Sequence, residues 1–409
     1  MMMAVASDLP ENRWHERLFV GLAAVTPLLG AVAPLGLTPV LIAAAVAALL
    51  IHGPRSLLST LPRWALVFSS TLLVWGLASA LWALDPARAI HKVGQLAVLV
   101  AAGLVLLGSA RSLSTSARTT AQSALLLGLI GACALFIFEV AFQAPLSRLL
   151  VKPPADLPLL ITYYNRGATV AAILMIPAVL VLGHRRGWKL AAGFAAVGMV
   201  ALAVLNSRTA VAGMILGLGV AVLALRWPKA MVRLVPVGMA LLIVLMPVVP
   251  GIALSSPERN VFLRTEGGHY RVLSLFHRFR IWEFTVEKIE ERPLLGWGLD
   301  SSRLLPGGQV KTDAGGGERL ALHPHNGPLQ IRVELGFPGV LLAAGLVLAA
   351  VLRARRVETA NAAMILGVAV VAITVASMSY GMWQSWWVSA LWIASVLTSV
   401  VALPQRAEP

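Results

Sequence analysis

The sequence predicts an all-α polytopic membrane protein, and three observations carry that expectation. The 409 residues are 58% hydrophobic and 12% charged, with mean hydropathy +0.82, which is more apolar than a soluble globule. The apolar residues gather into about twelve runs long enough to cross, as helix, a hydrocarbon core about 30 Å thick. The basic residues alternate between the two sides of those runs, as they do when charge orients a membrane chain.

The runs lie near 18–34, 36–52, 64–84, 93–110, 120–142, 167–184, 189–206, 209–226, 232–254, 328–351, 361–380 and 384–403. The first two also admit a reading as one re-entrant hairpin. The polar opening MMMAVASDLPENRWHER precedes the first run without a cleavage site after it, so that run reads as an uncleaved signal anchor. With the N-terminus cytoplasmic, alternate short loops carry Arg13, Arg17, Arg55, Arg63, Arg111, Arg118, Arg185, Arg186, Lys189, Arg226, Lys229, Arg233, Arg353, Arg355, Arg356 and Arg406. Sixteen of the 33 Lys and Arg thus share one side. The opposite short loops hold Arg88, Lys92, Arg148, Lys152, Arg166 and Arg208. Both termini are therefore expected in the cytoplasm. The net charge of +15 is then mostly topological, which removes nucleic acid as a partner and leaves membrane lipids.

The other 11 basic residues lie in or beside one large outer segment, 255–327, inserted between spans nine and ten of a single membrane domain, 1–409. There is no internal repeat, low-complexity tract or separate soluble domain. The lone cysteine, Cys133, excludes an internal disulfide and a thiolate metal site, and reads as a small core residue.

Within the outer segment, LFHRFRIWEFTVEKI spaces Leu275, Phe279, Trp282, Val286 and Ile289 by fours and threes. That pattern predicts an amphipathic helix, either lying on the membrane surface or capping the bundle. Pro293 should stop it, and Gly296 and Gly298 should turn the chain. Arg278 and Arg280 point about 200° apart on such a helix. Arg280 has Glu283 three residues on, which suits a local ion pair, whereas nothing local neutralises Arg278.

Arg166 and Arg208 stand at span borders on the side that the charge rule depletes, with no acidic residue three or four positions away. The plain reading is a snorkelling anchor. The chemical reading is a polyanion site, because unpaired guanidinium forks match phosphate oxygens. Glu139, near the outer end of the fifth span, is a further functional flag.

HPHNGPLQIRVELGFPG, residues 323–339, opens the tenth span. Pro328 suits a first helical turn, which leaves His325 and Asn326 in the loop just outside. A boundary histidine is the plain reading. Beside an arginine cluster, however, an imidazole stays neutral and accepts a proton, as a general base must. Asn326 either caps the helix or orients the imidazole. No metal or other cofactor is expected. His323 and His325 would alternate sides in an extended chain, there is no HExxH, and Glu258, Glu266, Asp300, Asp313 and Glu318 are scattered. Neither a Gly-rich phosphate loop nor a GxSxG elbow occurs.

Taken together, these features resemble the O-antigen ligase and polymerase superfamily, and its ligase branch in particular. His325 and Asn326, then nine residues, Gly336, two residues and Gly339 match the ligase pattern, and RFRIWEF followed by RPLLGWGLD is similar to the family's arginine–tryptophan and proline–glycine motif. The resemblance implies a multi-spanning, metal-independent glycosyltransferase of the GT-C type in the inner membrane of a Gram-negative bacterium. Its donor would be an undecaprenyl-pyrophosphate-linked glycan and its acceptor the lipid A core oligosaccharide, joined at the periplasmic face. By the same resemblance His325 is the catalytic histidine. Arg208 and Arg278 are the two essential outer arginines, although Ala212 stands where one form of the pattern has leucine. Arg166 and Arg280 are further pyrophosphate candidates, with Asn326, His323 and Trp282 in support. An O-antigen polymerase with the same donor, a protein O-glycosylating relative and a lipid-glycan transporter are the alternatives.

Overall fold

The computed structural model describes residues 13–150, 161–254, 270–310, 318–320 and 322–404. Most of the polar N-terminal segment, Glu258, Glu266, Asp313 and the side chain of Leu275 lie outside the described residues.

All twelve apolar runs are helices: α1 (Arg13–Val32), α2 (Leu37–His52), α3 (Arg63–Ala78), α4 (Pro86–Ser109), α5 (Thr115–Ala141), α6 (Asn165–Arg186), α7 (Trp188–Val204), α8 (Arg208–Arg226), α9 (Pro228–Leu245), α10 (Gly327–Val351), α11 (Thr359–Met378) and α12 (Ser385–Val400). With the 3-10 turns that extend some of them, 10 are long and apolar enough to cross a membrane, while α7 and α12 are shorter apolar helices of 17 and 16 residues. The chain is an all-α polytopic membrane protein. A 3-10 turn at Pro34–Gly36 separates α1 from α2, so the first two runs are distinct helices. The ninth run breaks after Leu245 and resumes as Val248–Leu254, because Pro247 has no N–H to continue the helix.

α6 is buried on almost every side and packs against α1, α5, α7, α8, α11 and α12. That burial fits a helix apolar all round. Leu50, Val67, Val74, Leu127 and Leu216 face outward elsewhere as a bilayer-facing surface.

The most extensive helix–helix packing is α8 against α11. A Cβ added at Gly217 would lie 2.5 Å from Val371 Cγ2 and 2.8 Å from the Gly367 carbonyl. The GMILG stretch, Gly213–Gly217, therefore lets the two backbones touch, as small residues do between membrane helices. Gly213 also meets Val371, which fixes an antiparallel register. Arg208, at the start of α8, is then level with the end of α11.

α10 is kinked where Gly336 adopts φ 65° and ψ −158°, just before Pro338. The kink frees backbone groups, and the PLLGWGLD loop takes them up. Trp297 N–H donates to the Val333 carbonyl (2.9 Å), Gly298 N–H to the Glu334 carbonyl (2.8 Å), and Phe337 N–H donates back to the Leu294 carbonyl (2.9 Å). Trp75 Nε1 donates to the Leu335 carbonyl at 2.9 Å. Irregular backbone at membrane depth is tolerated where protein satisfies it in this way.

Candidate functional site

The amphipathic stretch is a helix, Tyr270–Glu291, that ends just short of Pro293. Ile281, Trp282, Phe284 and Ile289 are buried on it, with Phe279 and Val286 packed alongside, against Met246, Leu329 and Val333. It caps the bundle, and is called the cap helix below. Its buried face carries both Arg278 and Trp282. Arg278 Nη1 donates to the Met378 carbonyl at 2.6 Å, and Trp282 Nε1 donates to the Pro324 carbonyl at 2.9 Å. One helical face thus grips the end of α11 and the loop that enters α10.

His325 lies between those two segments. Its Nδ1 is 2.6 Å from the Ser379 carbonyl. A carbonyl only accepts, so Nδ1 carries a proton, and in the neutral ring the lone pair then lies on Nε2, the tautomer of a base. The carbonyls held by Arg278 and His325 belong to consecutive residues, which brings the guanidinium and the imidazole to one place. Asn326 caps α10, the first of its two expected roles: its Oδ1 accepts from Leu329 N–H at 3.1 Å. Asn326 is fully buried, and its Nδ2 makes no hydrogen bond.

The histidine pair corrects one expectation. His325 has φ 54°, so the chain is not extended, and the two rings lie 4.3 Å apart. The His325 N–H donates to His323 Nδ1 at 3.1 Å. Burial, then His325 and Arg303, lower the His323 pKa to about 3, so His323 is neutral. Gln384 lies 3.1 Å from His323 Nε2 and accepts from the Trp386 indole at 2.8 Å. Among the described residues no three His, Cys, Asp or Glu side chains converge as metal ligands.

Arg166, at the start of α6, stacks on the Trp386 ring at 5.5 Å, and Trp386 meets Tyr380 edge-on at 4.6 Å. Burial raises the pKa of the Tyr380 phenol, opposed by Arg166 and Arg278, both within electrostatic reach. Its hydroxyl lies 3.3 Å from Thr169 Oγ1 on α6. His325, Arg278 and Arg166 are thereby gathered around the α11–α12 turn. Arg280 is exposed and pairs with Glu283 at 2.9 Å, the local ion pair its spacing allows. Arg208 is exposed above a shallow apolar groove lined by Val211, Ala212 and Ile215, at the level of the site but on a bilayer-facing side.

Tyr380, Gln384 and Trp386 were not singled out in the sequence, since MSYGMWQSWWV reads as an interfacial aromatic belt. Glu334 also escaped notice, though an acid in an apolar span was the available signal. Fully buried, it accepts from Asp300 N–H and Trp383 Nε1 (2.6 Å each), Gln330 Nε2 (3.0 Å), Ser302 N–H (3.3 Å) and Ser302 Oγ. Glu139 plays a comparable part elsewhere. It accepts from Leu146 N–H, Ser147 and Tyr164 and so fixes the turn after α5.

Comparison with known proteins bears on this geometry. Residues 196–344 match the family described as O-antigen ligase. Those residues are therefore similar to an O-antigen ligase domain. A protein of Rickettsia conorii (strain ATCC VR-613 / Malish 7), provisionally named a polysaccharide ligase, is 28% identical over 322 residues, covering 76% of this chain and 75% of its own. A Rickettsia felis (strain ATCC VR-1525 / URRWXCal2) protein, again provisionally so named, is 25% identical over 332 residues, covering 80% and 78%. One of Rickettsia prowazekii (strain Madrid E), with the same provisional naming, is 28% identical over 291 residues, covering 68% of each chain. The matched ligase segment contains Arg208, the cap helix, the PLLGWGLD loop, both histidines and the α10 kink. Arg166 and the α11–α12 turn come from outside it.

Proposed function

We propose that the protein transfers a glycan from a polyprenyl pyrophosphate, undecaprenyl pyrophosphate in the family it resembles, to the lipid A core oligosaccharide at the periplasmic face of a Gram-negative inner membrane. The observation that carries this reading is the Ser379 carbonyl on His325 Nδ1, one residue from the Met378 carbonyl on Arg278. A base with its lone pair on Nε2 is thus held beside a cation that has no ion-pair partner among the described residues.

The roles follow from the chemistry. His325 Nε2 takes the proton of the acceptor hydroxyl as its oxygen attacks the anomeric carbon. The bond from that carbon to the pyrophosphate oxygen breaks on the opposite face, and the configuration inverts. Charge grows on the departing pyrophosphate, where Arg278 and Arg166 meet it. Arg208, above its apolar groove, suits a phosphate whose lipid tail lies in the bilayer. Trp282, Asn326 and His323 hold the loop that carries the base. Arg280, engaged with Glu283, has the weakest claim to the phosphate.

The test mixes purified protein, in EDTA and without nucleotide, with an undecaprenyl-pyrophosphate glycan and lipid A core. Glycan should appear on the core with wild type and not with His325→Ala. Glycan joined only to a second lipid-linked glycan would make the protein a polymerase. Movement of the glycan across sealed vesicles without transfer would make it a transporter.

A further inference from the structure

A second cation cluster lies at the same end of the bundle, and the reaction above does not use it. Asp85 caps α4, accepting from Arg88 N–H at 3.0 Å, which places Arg88 and Lys92 in its opening turns. The PLLGWGLD loop brings Asp300 and Arg303 to them. Arg88 Nε bonds Asp300 at 3.1 Å, while Lys92 Nζ and Arg303 Nη2 stand at 4.0 and 3.8 Å.

Three cations therefore share one carboxylate, and only one of them is within hydrogen-bonding distance. Among the described residues Arg88 commits Nε alone, and Arg303 Nε is buried without a hydrogen-bond partner. The side chains of Arg88 and Arg303 are about one-third exposed (34% and 35%), so a ligand can reach them. Arg88 and Lys92 also stand on the side of the sequence that is otherwise poor in basic residues. The cluster leads back to the base: Arg303 acts electrostatically on His323, whose ring lies against His325. Arg278 holds the carbonyl next to the one His325 holds, and Arg303, which shares Asp300 with Arg88 and Lys92, acts on the neighbouring His323.

A transfer between two lipid-anchored molecules needs both held at the membrane face with the base between them. We propose that Arg88, Lys92 and Arg303 form a second anion site, which holds a phosphate on the lipid-anchored acceptor while Arg278 and Arg166 hold the donor. The proposal rests on the glycosyl-transfer reading, but the site can be tested by binding alone. A phosphate brings between one and two negative charges, about the excess that the cluster carries, and guanidinium forks bond its oxygens in pairs.

The protein in nanodiscs would be titrated with bis-phosphorylated lipid A, with the same lipid after phosphatase treatment, and with phosphatidylglycerol. Wild type should bind the phosphorylated lipid A at least about tenfold more tightly than the treated lipid. The triple variant Arg88→Gln/Lys92→Gln/Arg303→Gln should lose that preference. Because this variant strands Asp300, Asp300→Asn provides an independent arm. It keeps a residue type that tolerates the φ of 59° found there, and it should widen the preference by removing the competing carboxylate.

Equal binding of treated and untreated lipid A by wild type would overturn the site, as would a preference retained in the triple variant. Equally tight binding of phosphatidylglycerol would overturn the acceptor assignment and leave a phospholipid headgroup site. A protein that transfers no glycan yet shows the charge-dependent preference would sink the proposed reaction and keep the anion site.

Discussion

His325 sits at φ 54°, where a side chain with a Cβ is strained, and the Ser379 carbonyl holds its proton on Nδ1. In the proposed reaction that tautomer leaves Nε2 to take up the acceptor's proton. Loss of the imidazole should therefore act on turnover. His325→Ala is expected to lower kcat by on the order of a hundred- to ten-thousand-fold with donor KM little changed. Arg278→Ala should lower kcat by on the order of a hundred- to a thousand-fold and raise donor KM as well. Steady-state kinetics with purified lipid substrates separates the two, and a pure KM effect in His325→Ala would refute the base assignment. His323 makes a different prediction. Its pKa is about 3 when folded and about 6.5 when unfolded, so the unfolded state binds the proton first. The stability this contributes is complete above about pH 6.5 and is lost as pH falls toward 3, amounting to about 2 kcal/mol by pH 5. His323→Asn should flatten the fall of the unfolding midpoint between pH 7 and pH 5. The place of His325 at the edge of a span was legible in the sequence. The stacking of the two imidazoles was not, because it depends on a backbone angle that no spacing rule supplies.

The elements explain why two short motifs far apart in sequence belong together. The HN–Gly–Gly motif contains the kink of α10, and the PLLGWGLD motif takes up the carbonyls which that kink frees. A Cβ at Gly336 would lie 2.0 Å from the Leu294 carbonyl oxygen. Gly336→Ala should therefore cost about 3 kcal/mol or more, read as a lower midpoint in thermal unfolding; an unchanged midpoint would show that the loop does not dock there. Glu334 fastens the same joint through its side chain. Glu334→Ala would strand buried donors from Asp300, Ser302, Gln330 and Trp383, each worth about 1–3 kcal/mol. Amide exchange at residues 297–302 should accelerate more in that variant than in Glu334→Gln, which keeps one acceptor. The helices were legible because a membrane span must satisfy its own backbone and carry an apolar face. The helical period likewise separated Arg278 from Arg280. The role of Glu334 was hidden, since all its partners but Gln330, one helical turn away, lie some 30 to 50 residues off in sequence.

At the scale of the whole molecule, the chain separates its charges by end. Arg166, Arg208, Arg278, Arg88, Lys92 and Arg303 stand at the end that carries His325, while the dense short-loop clusters, such as Arg353, Arg355 and Arg356, stand at the other. The charge rule assigns the dense end to the cytoplasm, so the proposed reaction would take place at the opposite side, where the few arginines would act on substrate rather than on topology. Single cysteines test this directly, because the native Cys133 is buried and should stay silent. Leu84 is exposed at the His325 end and Trp227 at the other. In intact cells made permeable only at the outer membrane, Leu84→Cys should react with a membrane-impermeant maleimide. Trp227→Cys should react only after the inner membrane is breached. The reverse pattern would place His325 in the cytoplasm. Acceptor and donor would then have to meet on the inner face, and the unpaired arginines would return to being ordinary cytoplasmic charge.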